Sequence, residues 1–201
     1  MTTPLRERRR QMLRDEILQA AGELMREKGF AAMSMDELAA HVGISKPTLY
    51  SHFATKDEII VAAITNSIDQ VTAVVQADTT PRSPLQQLGF ILRTVLEVQI
   101  AKGGMGPRPF APEVFNLLCM HQEVLDRLRG VDGAIKDLVV AGRASGEINP
   151  ALDPAAIVRA FFALVNSLHS PFLVDMSSSA PSAVAETLAT IFERGVRAGQ
   201  A

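Results

Sequence analysis

One stretch of the chain, residues 34–58, restricts the possible fold more than any other part of the sequence. Ser34 and Glu37 have the S-x-x-E spacing of a capping box, in which the serine hydroxyl accepts a hydrogen bond from an early helix N–H group. Gly43 supplies the left-handed backbone that a sharp helix end requires. Ser45 is placed to cap a further helix directly after this turn. The stretch therefore predicts two short helices joined by a tight turn.

The second of these helices divides its side chains between an inward and an outward face. Pro47 is tolerated in the first turn, where no intrahelical N–H group is needed. Leu49 and Phe53 are four residues apart, so both are predicted to face inward. The outward side chains carry ammonium, hydroxyl or imidazole groups: Lys46, Thr48, Ser51 and His52. Two short helices joined at a glycine turn are typical of the helix-turn-helix, whose second helix enters the major groove of DNA.

The outward side chains suit direct contact with a DNA duplex. Thr48 can offer its hydroxyl to a base and its methyl group to thymine, and Ser51 can reach a base or a sugar. Lys46 can reach the acceptors of guanine or a phosphate. Ser34 and Ser45 can donate to the DNA backbone.

The run from Leu38 to Phe53 (LAAHVGISKPTLYSHF), followed by Lys56, resembles the signature of the TetR family of bacterial transcriptional regulators. The resemblance implies that Tyr50 and His52 bind phosphates, and that Lys56 binds another together with the N–H groups of the helix that it begins. The predicted DNA-binding residues are Ser34, Ser45, Lys46, Pro47, Thr48, Tyr50, Ser51, His52 and Lys56. Alternatively, Tyr50 and His52 pack within the small bundle, and His41 is expected to pack in that way.

The same resemblance implies an all-α fold. An N-terminal three-helix helix-turn-helix bundle would be followed by a larger C-terminal helical domain for ligand binding and dimerisation. Apolar spacing, glycine ends and polar caps predict about nine helices in total. The predicted domains are residues 1–55 for DNA binding and 56–201 for ligand binding and dimerisation, joined by a long helix from Lys56 to about Ala77.

Several breaks are predicted in the C-terminal part. Glycine and proline residues indicate loops at 103–109 and 177–181. Gly130 and Gly133 weaken the middle of a helix that ends at Gly146, so a break there is possible. The helix that Asp153 caps is predicted to run to about Phe172.

Charge is distributed unevenly along the chain. The net charge of −2 does not by itself indicate a nucleic-acid partner. Arginines are nevertheless concentrated near the N-terminus: Arg6, Arg8, Arg9, Arg10 and Arg14. Alone, this run would be a solvated terminus. Beside a helix-turn-helix it favours contact with DNA.

Cysteine usage and hydropathy predict a soluble, cytoplasmic protein. Cys119 is the only cysteine, so no intramolecular disulfide is possible, and its apolar neighbours predict a buried, inert thiol. We find neither a signal-peptide pattern nor an apolar run near the length that a membrane span requires.

A homodimer is predicted because one small bundle makes few phosphate contacts. Two recognition helices about 34 Å apart would read the half-sites of a palindromic operator in double-stranded DNA. The candidate interface lies on the last two helices, at Ile157, Phe161, Leu164, Leu168, Leu188, Ile191 and Phe192. A helix that is apolar all round is buried on more than one side. The alternative is a core helix within a monomer.

The resemblance also implies a small organic ligand in the larger helical part. The residues predicted to line its site are Phe90, Phe115, Cys119, Phe162, Val165, Asn166 and His169. Charge is sparse in this region, which favours an apolar or weakly polar ligand. Core packing is the alternative role for most of these residues.

The sequence predicts no metal site, no cofactor and no catalytic activity. No zinc-ligand spacing, phosphate-binding glycine loop or nucleophile–base arrangement is evident. The predicted function is a homodimeric repressor that a small apolar ligand releases from a palindromic operator. The alternatives are an activator of the same fold, and a helical small-molecule binding module with a vestigial helix-turn-helix.

Overall fold

The computed structural model describes residues 5–101, 112–168 and 181–199, and these residues form nine α-helices. In chain order they are α1 (Leu5–Lys28), α2 (Met35–Val42), α3 (Lys46–His52), α4 (Lys56–Ala77), α5 (Pro84–Ala101), α6 (Pro112–Leu118), α7 (Gln122–Ala144), α8 (Pro154–Ser167) and α9 (Pro181–Val196). The prediction of an all-α fold is confirmed. Across the described ranges, extended pairing is limited to one antiparallel bridge between Ile148 and Arg197.

Local capping signals explain where several helices begin and end. Asp153 caps α8 by accepting a hydrogen bond from the backbone N–H of Ala155 at 3.2 Å, and Pro154 occupies the first turn. Gly29 and Gly146 follow α1 and α7 with φ values of 81° and 77°. Such left-handed backbone is accessible to glycine without a Cβ clash, so both helices end at these residues.

One predicted helix limit is wrong, and a break that the sequence left possible is absent. Gly130 and Gly133 do not break α7, because Ile135 and Val139 anchor the helix in a buried core. Helix α8 ends at Ser167 and not near Phe172. Phe172 and the predicted loop at 103–109 lie outside the described residues, as do residues 177–180 of the other predicted loop.

The chain separates into two compact units. The first holds α1, α2, α3, α6 and the part of α4 up to Asn66. The second begins at Ser67 within α4 and holds α5, α7, α8 and α9. The predicted division of roles at residue 55 stays a prediction.

The first unit has its own apolar core. Its buried residues come from α1, α2, α3, the start of α4 and the turn before α2: Ile17, Leu18, Ala20, Ala21, Leu24, Met33, Leu38, Ala39, Leu49, Phe53, Ile59 and Ala63. The buried residues of α1 and α4 recur at three- and four-residue spacing, which places them on one face of each helix. The short helices α2 and α3 are therefore stabilised by the burial of their apolar side chains, and not by the few backbone hydrogen bonds that helices of this length can form.

The second unit is built around α5 and α9. Leu85, Leu88, Leu92 and Leu96 line one side of α5 and are fully buried. Phe161 of α8 packs edge-to-face against Phe192 of α9, with ring centroids 5.6 Å apart. The segment after α7 joins the end of α9, since Asn149 donates to the Val196 carbonyl at 2.9 Å and Ala198 donates to the Glu147 carbonyl at 2.8 Å.

Helix α4 corrects the prediction that no apolar run is long enough to cross a membrane. Among the described helices it alone has the length and apolar composition for a membrane span. Ile59 and Ala63 of this helix belong to the core of the first unit, however, and Asp69 forms an ion pair with Arg127. Core helices of soluble proteins meet the same criterion of length and hydropathy, so we assign α4 to packing.

Cys119 is exposed, so the predicted buried thiol is wrong. Helix α6 ends at Leu118, which is fully buried, and Cys119 begins the following turn. The apolar run of the sequence continues past the end of the helix, where its spacing no longer determines which side chains are buried.

Two glycines of α7 should respond in opposite ways to alanine. Among the described residues, no atom of another element lies within 4 Å of a Cβ built at Gly133. Gly133→Ala should therefore raise the free energy of unfolding by about 0.5–1 kcal/mol, since alanine favours helix. At Gly142, a Cβ would lie 2.7 Å from Cδ1 of the fully buried Ile148. Gly142→Ala should lower the stability by about 1–3 kcal/mol.

Urea unfolding at equal protein concentration would measure both changes. The two variants share a helix and a substitution, so each serves as the control for the other. Destabilisation by Gly133→Ala, or none by Gly142→Ala, would contradict the packing described for α7.

Candidate nucleic-acid interface

Hydrogen bonds fix the turn between α2 and α3. Ser34 Oγ accepts from the Glu37 N–H at 3.2 Å, and Ser45 Oγ accepts from the Thr48 N–H at 3.2 Å. Gly43 has φ 77°, and its N–H donates to the Ala40 carbonyl at 3.2 Å. These contacts confirm the predicted caps and the predicted left-handed turn.

Helix α3 has one buried and one exposed side. Leu49 and Phe53 are essentially inaccessible to solvent, as their spacing predicts. Lys46, Pro47, Tyr50 and Ser51 are exposed, while Thr48 and His52 are half-buried. The residues predicted to contact DNA on this helix thus share the side that is not packed in the first unit.

The hydroxyl groups on α3 are ordered by local contacts. Thr48 Oγ1 lies 2.7 Å from Ser45 Oγ, and Ser51 Oγ donates to the Thr48 carbonyl at 2.7 Å. Each hydroxyl oxygen keeps acceptor capacity after such a bond. Tyr50 is 48% exposed, so its phenol can reach a phosphate or base without displacing another residue.

Lys46 is not isolated at the start of α3. Its Nζ lies 2.6 Å from Oδ2 of Asp36 on α2, and both side chains are well exposed. An exposed ion pair of this kind contributes little to stability and is readily exchanged for another partner. No local pattern in the sequence indicates this carboxylate beside the predicted DNA contact, because the two residues lie on different helices.

Arg14 of α1 contacts the end of the recognition helix. Its Nη1 donates to the His52 carbonyl at 3.2 Å, and its guanidinium lies 4.1 Å from the centre of the Phe53 ring. A cation beside the last carbonyls of a helix is favoured by the helix dipole. The arginine run predicted only contact with DNA, so this structural role was missed.

Burial lowers the pKa of His52, and the nearby charges of Arg10 and Arg14 lower it further. The imidazole is therefore mainly neutral at pH 7, since its ordinary pKa is about 6.5. A neutral imidazole still has one N–H donor, so His52 can donate to a phosphate oxygen without carrying charge.

The contacts of His41 and Lys56 differ from those that the sequence predicts. His41 is exposed, and its Nε2 lies 3.2 Å from Glu23 Oε2, so the expected packing role is wrong. Lys56 begins α4, as predicted, but its Nζ donates to the carbonyls of Phe30, Ala31 and Met33 in the turn between α1 and α2. Its predicted phosphate contact stays a prediction.

The residues predicted to bind a ligand fall in both units. Phe90, Phe162, Val165 and Asn166 are half-buried in the second unit, whereas Phe115 and Cys119 are exposed in the first. The Arg82 guanidinium lies 3.7 Å from the centre of the Phe90 ring, and Asn166 Nδ2 donates to the Phe162 carbonyl at 2.7 Å. His169 lies outside the described residues.

The residues predicted to form a dimer interface also divide into two groups. Ile157, Phe161 and Phe192 are buried in the core of the second unit, so these three side chains do not reach a partner. Leu164, Leu168 and Leu188 are partly buried against the same core. Ile191 is 57% exposed.

The arrangement defines a class of protein. A glycine turn joins two capped helices, the second helix is anchored by two buried side chains, and its open side carries amino, hydroxyl and imidazole groups. This is a helix-turn-helix DNA-binding regulator. Across the described residues, no group of three or more His, Cys, Asp or Glu side chains could hold a metal ion.

Comparison with known proteins identifies the N-terminal domain. Residues 17–63 match the family described as bacterial regulatory proteins, tetR family. The transcriptional activator FasR of Mycolicibacterium smegmatis is 40% identical over 76 residues, or 37% of this chain and 35% of that protein. The transcriptional regulator UidR of Escherichia coli is 29% identical over 154 residues, or 74% of this chain and 76% of that protein. Residues 17–63 of the chain therefore carry the DNA-binding domain of the TetR family.

A solved structure extends this similarity to the whole fold. AibR in complex with isovaleryl coenzyme A and operator DNA has a TM-score of 0.65 to this chain, covering 89% of this chain and 97% of AibR. Its sequence identity of 19% limits the comparison to the fold. The match to FasR, by contrast, spans about a third of that protein.

Arg14→Ala should destabilise the protein by about 1–2 kcal/mol, because it removes a hydrogen bond to the His52 carbonyl and the stacking on Phe53. Arg9→Ala is the matched control, since Arg9 is an exposed arginine on the same helix. Chemical unfolding without DNA would measure the difference. Equal stability of the two variants would show that Arg14 does not hold α3.

Proposed function

We propose that this protein is a homodimeric repressor that binds a palindromic operator and is released from it by a small apolar ligand. The observation that carries the proposal is the open side of α3, where Lys46, Tyr50 and Ser51 are exposed while Leu49 and Phe53 are buried. A helix fixed on one side and polar on the other can enter a major groove without rearrangement. Ser34 and Ser45 would contribute contacts to the DNA backbone.

Dimerisation would supply the affinity that one small unit lacks. Phosphate contacts dominate the binding of DNA, and a second unit doubles their number. We assign the interface to the exposed sides of α8 and α9, which carry Arg159, Ala160, Ala163, Thr187 and Ile191. The two alanines are small enough to permit close approach of helices, and Ile191 adds an apolar contact. Leu164, Leu168 and Leu188 would border the contact.

A ligand site in the second unit would control the release from DNA. Phe162 and Val165 are half-buried on α8 and pack against the core, so they supply apolar surface. Asn166 supplies the amide group nearest to them on the same helix. AibR, which has the same fold, was solved with both a ligand and operator DNA. A ligand that favours one arrangement of the dimer would shift its population away from the DNA-binding state.

An activator of the same fold is the second candidate. FasR is named a transcriptional activator, and it is 40% identical to this chain over 76 residues. The DNA-binding unit alone does not set the sign of regulation, because either outcome follows from where the operator lies. Both candidates act on DNA in the cytoplasm, and neither requires catalysis.

Two substitutions on α3 should separate base contacts from phosphate contacts. Thr48→Val removes a hydroxyl while keeping the shape, so it should change the preference at one base position by about 1–3 kcal/mol. Tyr50→Phe should weaken binding by about 0.5–1.5 kcal/mol for every sequence. Binding to a library of duplexes, first selected by the unmodified protein, would measure both profiles.

The same experiment tests the proposed function itself. The unmodified protein should select a palindromic site and bind it more tightly than random duplex. No preference for any site would contradict the proposed regulator, and identical profiles for the two variants would contradict the assigned roles.

The dimer assignment predicts a selective effect of charge on α9. Ile191→Glu should give monomers at concentrations where the unmodified protein is a dimer, because a carboxylate would be buried without a partner. Val140→Glu is the control, since Val140 of α7 is 62% exposed and equally apolar. Sedimentation would give the oligomeric state of each variant. If the Val140→Glu variant were monomeric while the Ile191→Glu variant remained a dimer, the interface would have to be assigned to α7 instead.

A further inference from the structure

Lys56 is surrounded by backbone carbonyls of one turn. Its Nζ lies 2.9 Å from the Phe30 oxygen, 3.1 Å from the Met33 oxygen and 3.3 Å from the Ala31 oxygen. An ammonium group has three N–H donors, so these three acceptors match its full capacity. The same nitrogen lies 4.3 Å from the centre of the Phe30 ring, within the range of a cation–π contact.

The turn between α1 and α2 is the element that Lys56 holds. Gly29 ends α1 with φ 81°, and the chain then passes through Phe30 and Met33 before Ser34 caps α2. Carbonyl groups in such a turn have no regular helix partner and must be satisfied by other donors. One cation that binds three of them fixes the path by which α1 leads into α2.

The position of Lys56 in α4 makes this role more specific. It is the first residue of the helix, where the positive end of the helix dipole disfavours a basic side chain. The carbonyl oxygens carry partial negative charge and offset this cost. The first turn of α4 is thereby attached to the turn that precedes α2, and α2 leads directly into α3.

A phosphate contact would require a different arrangement. The ammonium would have to exchange its hydrogen bonds to carbonyl oxygens, or share them, in order to bind a DNA phosphate. We infer that Lys56 is a positioning residue, which attaches α4 to the α1–α2 turn and so sets the orientation of α2 and α3, and is not a ligand of a DNA phosphate. The DNA-binding part of its test rests on the proposed function, whereas the stability part does not.

Three lysine variants would test the inference. Lys56→Met removes the charge and keeps the length of the side chain. Lys56→Arg keeps the charge, but a planar guanidinium does not converge on three carbonyls as an ammonium does. Lys46→Met is the control, because Lys46 is an exposed lysine that contacts Asp36. Thermal unfolding without DNA is measured first for all three variants.

The expected result is a loss of stability at position 56 alone. Both Lys56→Met and Lys56→Arg should lower Tm by on the order of 5 °C, while Lys46→Met leaves Tm nearly unchanged. Failure of Lys56→Met to fold, with Lys46→Met folded, would also support the inference. An unchanged Tm for Lys56→Met would overturn it, whether or not the protein binds DNA.

DNA binding then distinguishes positioning from phosphate contact. The probes are a duplex selected by the unmodified protein and a random duplex, each measured over a range of salt concentrations below the Tm of the variants. Misplacement of α3 should weaken binding to the selected duplex by about tenfold more than binding to the random duplex, the size of one mismatched base pair. The salt dependence should not change.

A phosphate ligand would behave in the opposite way. Its loss in Lys56→Met would weaken both duplexes alike and reduce the slope of log affinity against log salt by about 0.9 for each contact. Lys56→Arg would then bind like the unmodified protein. This combination would overturn the inference. Lack of selective binding by the unmodified protein would contradict the proposed function and leave the Tm result to decide the role of Lys56.

Discussion

The burial of Leu49 and Phe53 is the interaction on which the DNA-binding surface depends. Helix α3 has seven residues, and isolated helices shorter than about 12 residues are marginal in water. Burial of two large apolar side chains contributes about 1.5–3 kcal/mol each, which exceeds what the caps at Ser45 and Phe53 can supply. Because these anchors lie on one side, the opposite side is free to carry polar groups. The recognition surface is thus a consequence of core packing.

Charge on the same surface acts against indiscriminate binding. Arginines near the N-terminus attract a phosphate backbone, but Asp36 lies 2.6 Å from Lys46 at the start of α3. A carboxylate in this place repels phosphates and lowers the attraction that is common to all sequences. In the proposed regulator, contacts to base edges would then account for a larger share of the binding free energy. His52 fits this arrangement, since its low pKa adds a donor without adding positive charge.

The features that sequence could predict are those whose partners lie close in the chain. Ser34 and Ser45 bond to N–H groups three residues later, so their roles follow from spacing. Arg14 bonds to a carbonyl 38 residues away, which no local pattern indicates. Helical periodicity placed Ile157, Phe161 and Ile191 on apolar helix faces. It did not show that Ile157 and Phe161 are buried in the core whereas Ile191 is exposed. An apolar helix face indicates that its burial is favoured. It does not indicate whether the same chain or a second copy of the chain covers that face.

Helix α4 shows what a polar contact adds to an apolar core. Ile59 and Ala63 hold the helix against the core through contacts that have little directional preference, so they resist separation more than sliding. The three hydrogen bonds of Lys56 are directional and fix the first turn along the helix axis. Together the two kinds of contact couple the first turn of α4 to the α1–α2 turn. A displacement of this first turn would therefore be passed to the turn that leads into α2 and α3, as a signal carried by the helix would require.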